Sequence, residues 1–279
     1  MKSISFSFRN VLVSKEEIFE TAEKLTHEVE NMVSVISKGY DDERAFINLP
    51  SDRDMLSKVE QMVKEKSRVK PEYLVVVGIG GSNLGTMAVQ EAVFGKLHNQ
   101  ISPSVKVLWA DTVDSDFINS IAKIVESTLR EGKNIILNAI SKSGTTTETA
   151  VNFKVLLDLL KKHKEDYAKY VVITTDKDSE FWNLSLDEGF SVLEIPEKVV
   201  GRYSVFSSVG LFPLGLLGIN VEQLLAGARS MRDLCLNKNV EKNPATITAA
   251  IQYLHYKGGK NISDLFLFSN DLESLGKWY

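Results

Sequence analysis

The chain has 279 residues, of which 43% are apolar, 25% charged and 9% aromatic, enough for one large or two ordinary globular domains with a sizeable core. Seventeen Gly and six Pro exclude a collagen-like or low-complexity chain, and 33 Lys+Arg against 37 Asp+Glu, a formal charge of −4, leave no global basic field to recommend nucleic acid as a partner. The lone cysteine, Cys235, has no CxxC neighbour and no His cluster nearby, so the sequence predicts no internal disulfide and no metal site, and points to a reducing cytoplasm.

In chain order, the opening MKSISFSFRNVLVSKEE lacks the apolar run and small-residue cleavage site of a signal peptide. From Ser14 to about Lys66, helical spacing of Ile18, Ala22, Leu25 and Val29 against Glu17, Glu20 and Glu23 predicts an N-terminal helical segment, residues 1–69. Buried strands are predicted at Tyr73–Ile79, Val105–Ala110, Asn134–Ile140, Tyr170–Thr175 and Ser191–Ile195, with helical patterns between several of them, as at Thr146–Lys162. Strands alternating with helices imply a doubly wound α/β domain with a parallel sheet over residues 70–200.

Residues 204–258 read as helices, part of a helical connection over 201–258, with a polar break at 236–244. Tyr203–Val221 is 19 residues without a charge, close to a bilayer-spanning length, but Pro213, three Gly, three Ser and Asn220 favour a buried helix or helix pair, and no membrane partner is expected. A further buried strand is predicted at Ile262–Phe268, followed by the start of a helix. A lone parallel strand needs neighbours reached through a crossover, so residues 259–279 read as the start of a second, truncated α/β domain.

Four places carry chemistry. The loop Gly78-Ile-Gly80-Gly81-Ser82-Asn83-Leu84-Gly85 follows a strand and opens a helix, where backbone N–H groups and the helix dipole favour an anion. It departs from the dinucleotide fingerprint, which needs Gly at position 83, and from the P-loop, which needs Lys at position 86; Asp111 at the end of the next strand nonetheless resembles a ribose-binding acid. Ser141-Lys142-Ser143-Gly144-Thr145-Thr146-Thr147-Glu148 offers five hydroxyls in seven residues, more than an N-cap needs and well suited to the oxygens of a phosphate monoester. Arg202, at the mouth of the uncharged stretch, is either a structural ion-pair partner or a cation for developing negative charge on a substrate oxygen. Glu273, at the carboxyl end of the predicted last strand, is a candidate general base, though acids in a terminal loop are most often simply solvated.

Together these segments resemble the phosphoglucose isomerase (glucose-6-phosphate isomerase) family, built from two flavodoxin-like sugar isomerase domains. GIGGSNLG, SKSGTTTET, VGRYSVFSSVG and ESLGK occur in the family's order from about residue 70 to residue 277. The first two are shared with other sugar isomerase domains; GRYS with ESLGK narrows the resemblance. It implies reversible aldose–ketose isomerisation of glucose 6-phosphate and fructose 6-phosphate through a cis-enediolate, in glycolysis and gluconeogenesis, without cofactor or metal, by a cytoplasmic homodimer. By the same resemblance, Ser141, Ser143 and Thr146 hold the phosphate with Lys142 close by. Gly80, Gly81 and Ser82 line the sugar's side of the pocket, Gly201 also contacts the substrate, Arg202 stabilises the enediolate and Glu273 moves the proton. Ser143 stands where the family usually has Thr, and Val200 where a Gly often precedes the GR pair. The family's ring-opening histidine and late lysine follow its catalytic glutamate, whereas His27, His98, His163 and His255 all precede Glu273. On that pattern most of the second domain is expected to be missing. A phosphosugar-binding sensor without turnover is the alternative, and a dehydrogenase a third.

Overall fold

The computed structural model describes residues 6–279. In chain order the elements are α1 (Lys15–Glu23), α2 (Thr26–Ser34), α3 (Arg53–Ser67), β1 (Pro71–Val77), α4 (Leu84–Phe94), β2 (Lys106–Ala110), α5 (Ser115–Arg130), β3 (Asn134–Ile140) and α6 (Thr147–His163). There follow β4 (Val171–Asp176), α7 (Glu180–Asp187), β5 (Ser191–Ile195), α8 (Ser208–Leu216), α9 (Val221–Cys235), α10 (Pro244–Lys257) and α11 (Glu273–Trp278).

The five strands form one sheet in the order β2-β1-β3-β4-β5, every neighbouring pair parallel. This is the flavodoxin-like order, in which the chain winds one way from β1 to β2 and the other way from β3 onward. The α/β expectation therefore holds. Runs of Val, Ile and Leu suit strands covered on both faces: Leu74 to Val77, Ile135 to Leu137 and Val171 to Ile173 are all wholly buried. The register sets Val77 level with Ala110 on one side and with Ala139 on the other, so the loops leaving β1 and β3 start side by side. β1 ends two residues before the predicted Ile79, because the backbone turns out of the ladder at Gly78 to begin its loop.

The helices have local causes. α5 buries Ile118, Ile121, Val125, Thr128 and Leu129, one stripe at helical period, and Asp114 caps it by accepting the Phe117 N–H at 2.9 Å. The uncharged stretch becomes a nine-residue helix, α8, buried at every position but Gly215 and capped by Ser207. No described helix is long and apolar enough to cross a membrane.

The chain divides into two compact units, residues 1–50 with 224–266, and residues 51–223 with 267–279. In the first, Ile18 and Ala22 of α1 pack with Val240, Ile247 and Ala250, and Asn243 caps α10 by accepting the N–H groups of Ala245 and Thr246. The second holds the sheet and all the motif loops.

One element differs from expectation. Ile262–Phe268 forms no strand: it joins neither edge of the sheet, and Ile262 and Phe268 are 88% and 96% exposed. Apolar, β-prone composition is a local property, but a strand is stable only through a ladder with a neighbour, and none of the described strands pairs with it.

Candidate active site

β1 and β3 are the neighbours between which the winding direction reverses, the position where open α/β sheets bind ligands at the carboxyl ends of their strands. The loop after β1 turns at Gly80, with φ +59°, into a short 3-10 turn, Gly80–Ser82, that leads into α4. Asn83 explains its own departure from the dinucleotide pattern. Its side chain is buried and donates to the Gly78 carbonyl at 2.9 Å, tying the end of the loop to its start.

Gly81 lies against the 3-10 turn Gly201–Phe206, backbone on backbone. A Cβ on Gly81 would fall 2.4 Å from the Gly201 carbonyl carbon, so only glycine allows this approach. The Ser204 hydroxyl lies 2.7 Å from the Gly201 oxygen and 3.2 Å from the Gly81 oxygen, and its single proton bridges the two turns. Arg202 is thereby carried to the β1 loop. Its guanidinium stacks 4.8 Å from the Tyr203 ring centroid, its carbonyl accepts the Trp278 indole N–H at 3.1 Å, and none of the described carboxylates pairs with it. The structural ion-pair reading of Arg202 has no partner here.

The loop after β3 buries Ser141 and leaves Ser143, Thr145 and Thr147 exposed. Ser141 is buried, its N–H donates to the Thr174 carbonyl, and its hydroxyl donates to that of Thr146 at 3.2 Å. Ser143 and Thr145 share a hydroxyl–hydroxyl bond of 2.9 Å. Gly144 has φ +72°, and a Cβ there would stand 2.5 Å from Cβ of Phe181. Thr146 occupies the N-cap position of α6 but makes no side-chain capping bond, so these hydroxyls are not spent on capping. The loop leads directly into the N-terminus of α6, a 17-residue helix whose first N–H groups have no partners within the helix.

Glu273 stands apart from both loops. It opens α11 on the far side of the Ile262–Phe268 segment instead of closing a strand, and it makes no hydrogen bond or ion pair with Arg202, Ser82 or the Ser141–Thr146 loop. Lys277 binds it from its own helix at 2.8 Å, and the Lys96 ammonium binds it from the turn after α4. Hydrogen bonds from these two lysines pull its pKa from 4.5 down to about 2. The Lys96 N–H also donates to Asp271 at 3.2 Å, so the turn at residue 96 grips both acids. At the end of β2, Asp111 is half-buried, and burial raises its pKa against the pull of Lys277.

The phosphoglucose isomerase family model matches residues 64–278. The chain belongs to this family. It is 32% identical over 255 residues to the glucose-6-phosphate isomerase of Carboxydothermus hydrogenoformans, covering 89% of this chain and 54% of that protein. It is 37% identical over 220 residues to the glucose-6-phosphate isomerase of Methanocaldococcus jannaschii, covering 79% of this chain and 51% of the other. The chain thus spans about half the length of the curated relatives it matches. Among solved structures, a hypothetical protein from Thermus thermophilus superposes with TM-score 0.76 at 28% identity, over 96% of this chain and 61% of the other. A glucose-6-phosphate isomerase from Chlamydia trachomatis, at 21% identity and TM-score 0.66 over 87% of this chain and 51% of that one, shares the fold.

Sequence reasoning missed three residues around this family's motifs. Ser204 and Trp278 bond the Arg202 turn from within or beside quoted motifs, and helical spacing gave no reason to single them out. Lys96 has no signal at all, since its partner is 177 residues away.

Proposed function

We propose that this chain carries the phosphosugar-binding and proton-transfer residues of an aldose–ketose isomerase acting on glucose 6-phosphate and fructose 6-phosphate. The observation that carries the reading is the junction at the sheet's switch point. There the hydroxyl loop Ser141–Thr146 and the Gly80–Ser82 turn leave neighbouring strands, and the Gly81–Gly201 contact seats against the latter the turn that carries Arg202, which pairs with no carboxylate among the described residues. Ser141, Ser143, Thr146 and Lys142 bind the non-reacting phosphate and so position the sugar, while Gly80, Gly81, Ser82 and Gly201 line its approach.

In the open-chain aldose, the Glu273 carboxylate takes the proton from C2, and the electron pair moves through the new C1–C2 double bond onto O1. Arg202 holds the resulting oxyanion of the cis-enediolate. Return of the proton to C1, with the hydroxyl proton on O2 lost to regenerate a carbonyl and O1 protonated, gives the ketose. An arginine beside an oxygen that gains charge only during the reaction lowers the barrier more than it tightens ground-state binding. A homodimer of the whole protein and a cytoplasmic setting belong to the same reading.

A binding module without turnover is the second reading, favoured by the two lysines that occupy Glu273. Proton NMR of fructose 6-phosphate in D₂O with this 279-residue chain separates the two, since part of the ketose is open without any ring-opening group. Exchange at C1 is the expected result. No exchange with broadened phosphorus lines selects the binding module, and neither signal overturns both.

A further inference from the structure

Asp176, the last residue of β4, takes no part in the chemistry above, yet it is fastened to the hydroxyl loop. Its N–H donates to the Lys142 carbonyl at 3.0 Å, and the hydroxyl of the preceding Thr175 donates to the same oxygen at 3.1 Å. The acid is therefore fixed beside the residue that separates Ser141 from Ser143. One of its carboxylate oxygens, Oδ1, is buried and has no hydrogen-bond partner among the described residues. A buried carboxylate oxygen without a donor costs free energy that its protonated form largely avoids. Three charged groups face it: Lys142 from the loop, Glu194 from β5 and Glu197 from the turn after β5. Burial dominates and pushes its pKa from 3.8 up to about 6, with the two glutamates adding to the rise and Lys142 opposing it.

We propose that Asp176 couples phosphate binding at the Ser141–Thr146 loop to proton uptake: the phosphosugar binds with Asp176 protonated, and affinity falls as Asp176 ionises. The inference rests on the phosphosugar reading of that loop. A phosphate dianion seated there competes with the Asp176 carboxylate for Lys142 and repels it, so the bound state favours the neutral acid. By linkage, protonation must then strengthen binding by the same factor. The neutral acid also supplies an O–H donor, where a carboxylate can only accept. The sign is opposite to that of a site made of lysine and hydroxyls alone, which binds phosphate better as pH rises and the ligand becomes a dianion.

Calorimetry of fructose 6-phosphate binding to the 279-residue chain, run at pH 7 in two buffers of different ionisation enthalpy, reads the protons taken up. The ligand's own titration is common to the chain and to Asp176→Asn, so their difference belongs to Asp176. For a one-unit coupling the chain takes up about 0.4 proton more than the variant. The variant also binds about tenfold tighter at pH 8, and the two affinities converge near pH 5. Equal uptake in both proteins, or an equal affinity ratio at pH 5 and pH 8, overturns the proposal. As a check independent of how the variant folds, carbon NMR of the Asp176 carboxyl in the unaltered chain should move its titration up by about one unit on adding fructose 6-phosphate. An unmoved titration despite phosphorus line broadening overturns the coupling alone. No binding signal of any kind overturns the phosphosugar reading and the coupling with it.

Discussion

The Arg202 side of the candidate site and the Glu273 side are held by different forces. Around Arg202 the contact is backbone against backbone, Gly81 on Gly201, closed by a buried serine hydroxyl. Around Glu273 it is two ion pairs, with the glutamate side chain 49% exposed. Close-packed backbone tolerates no displacement, whereas exposed ion pairs are weak, screened by salt and easily exchanged for water. The backbone that carries Arg202 is thus held by packing, while Glu273 rests in ion pairs that little free energy is needed to break.

The largest effect expected from breaking this arrangement is on chemistry. Glu273→Gln keeps the shape and removes the base, so hydrogen exchange at C1 of fructose 6-phosphate should fall by about 10²–10⁴-fold while phosphosugar binding is retained. Unchanged exchange would remove Glu273 from the mechanism. Arg202→Ala should lower the same rate by about 10²–10³-fold, with little change in substrate affinity. A weaker affinity at an unchanged rate would make Arg202 a binding residue only.

Next comes the packing itself. Gly81→Ala places a methyl group 2.4 Å from the Gly201 carbonyl carbon, and backbone has to move. A loss of about 1–3 kcal/mol in urea unfolding is expected. Gly201→Ala should cost less, because its nearest atom would be 3.1 Å away. Ser204→Ala leaves two carbonyls without their shared donor and should cost about 1 kcal/mol. If Gly81→Ala were neutral, the rigid side of the comparison would be no more rigid than the other.

What could be read from the sequence follows the same division. The five strands and the Ser141–Thr147 hydroxyl run were legible because each is a local pattern: a branched apolar run, a cluster of one residue type before a helix. Asn83 was legible only as a mismatch, since its role depends on a bond back to Gly78. The pairing of Gly81 with Gly201 and of Lys96 with Glu273 was not legible, because residues so far apart in sequence meet only through the winding of the sheet. Ile262–Phe268 was misread for the converse reason. Its composition is that of a strand, but the neighbour that makes a strand is not a property of the segment.

The smallest expected effect tests the loose side directly. Lys96→Met removes one of the two ammonium groups on Glu273 and should raise its pKa from about 2 toward the ordinary 4.5, as read by carbon NMR titration of the side-chain carboxyl. The sign with respect to folding follows. A carboxylate whose folded-state pKa lies below its unfolded-state value contributes stability that is present above about pH 4.5 and is lost as pH falls toward 2. The variant should therefore show a weaker dependence of stability on pH in that acidic window and no change near neutrality beyond loss of an exposed pair. High salt should raise the pKa in the unaltered chain chiefly by screening Lys277, whose side chain is 61% exposed against 26% for Lys96. Were the pKa to stay near 2 in Lys96→Met, Lys277 alone would hold Glu273. Release of the base would then need only a change of side-chain rotamer within α11, since Lys277 lies four residues along the same helix and its side chain is 61% exposed.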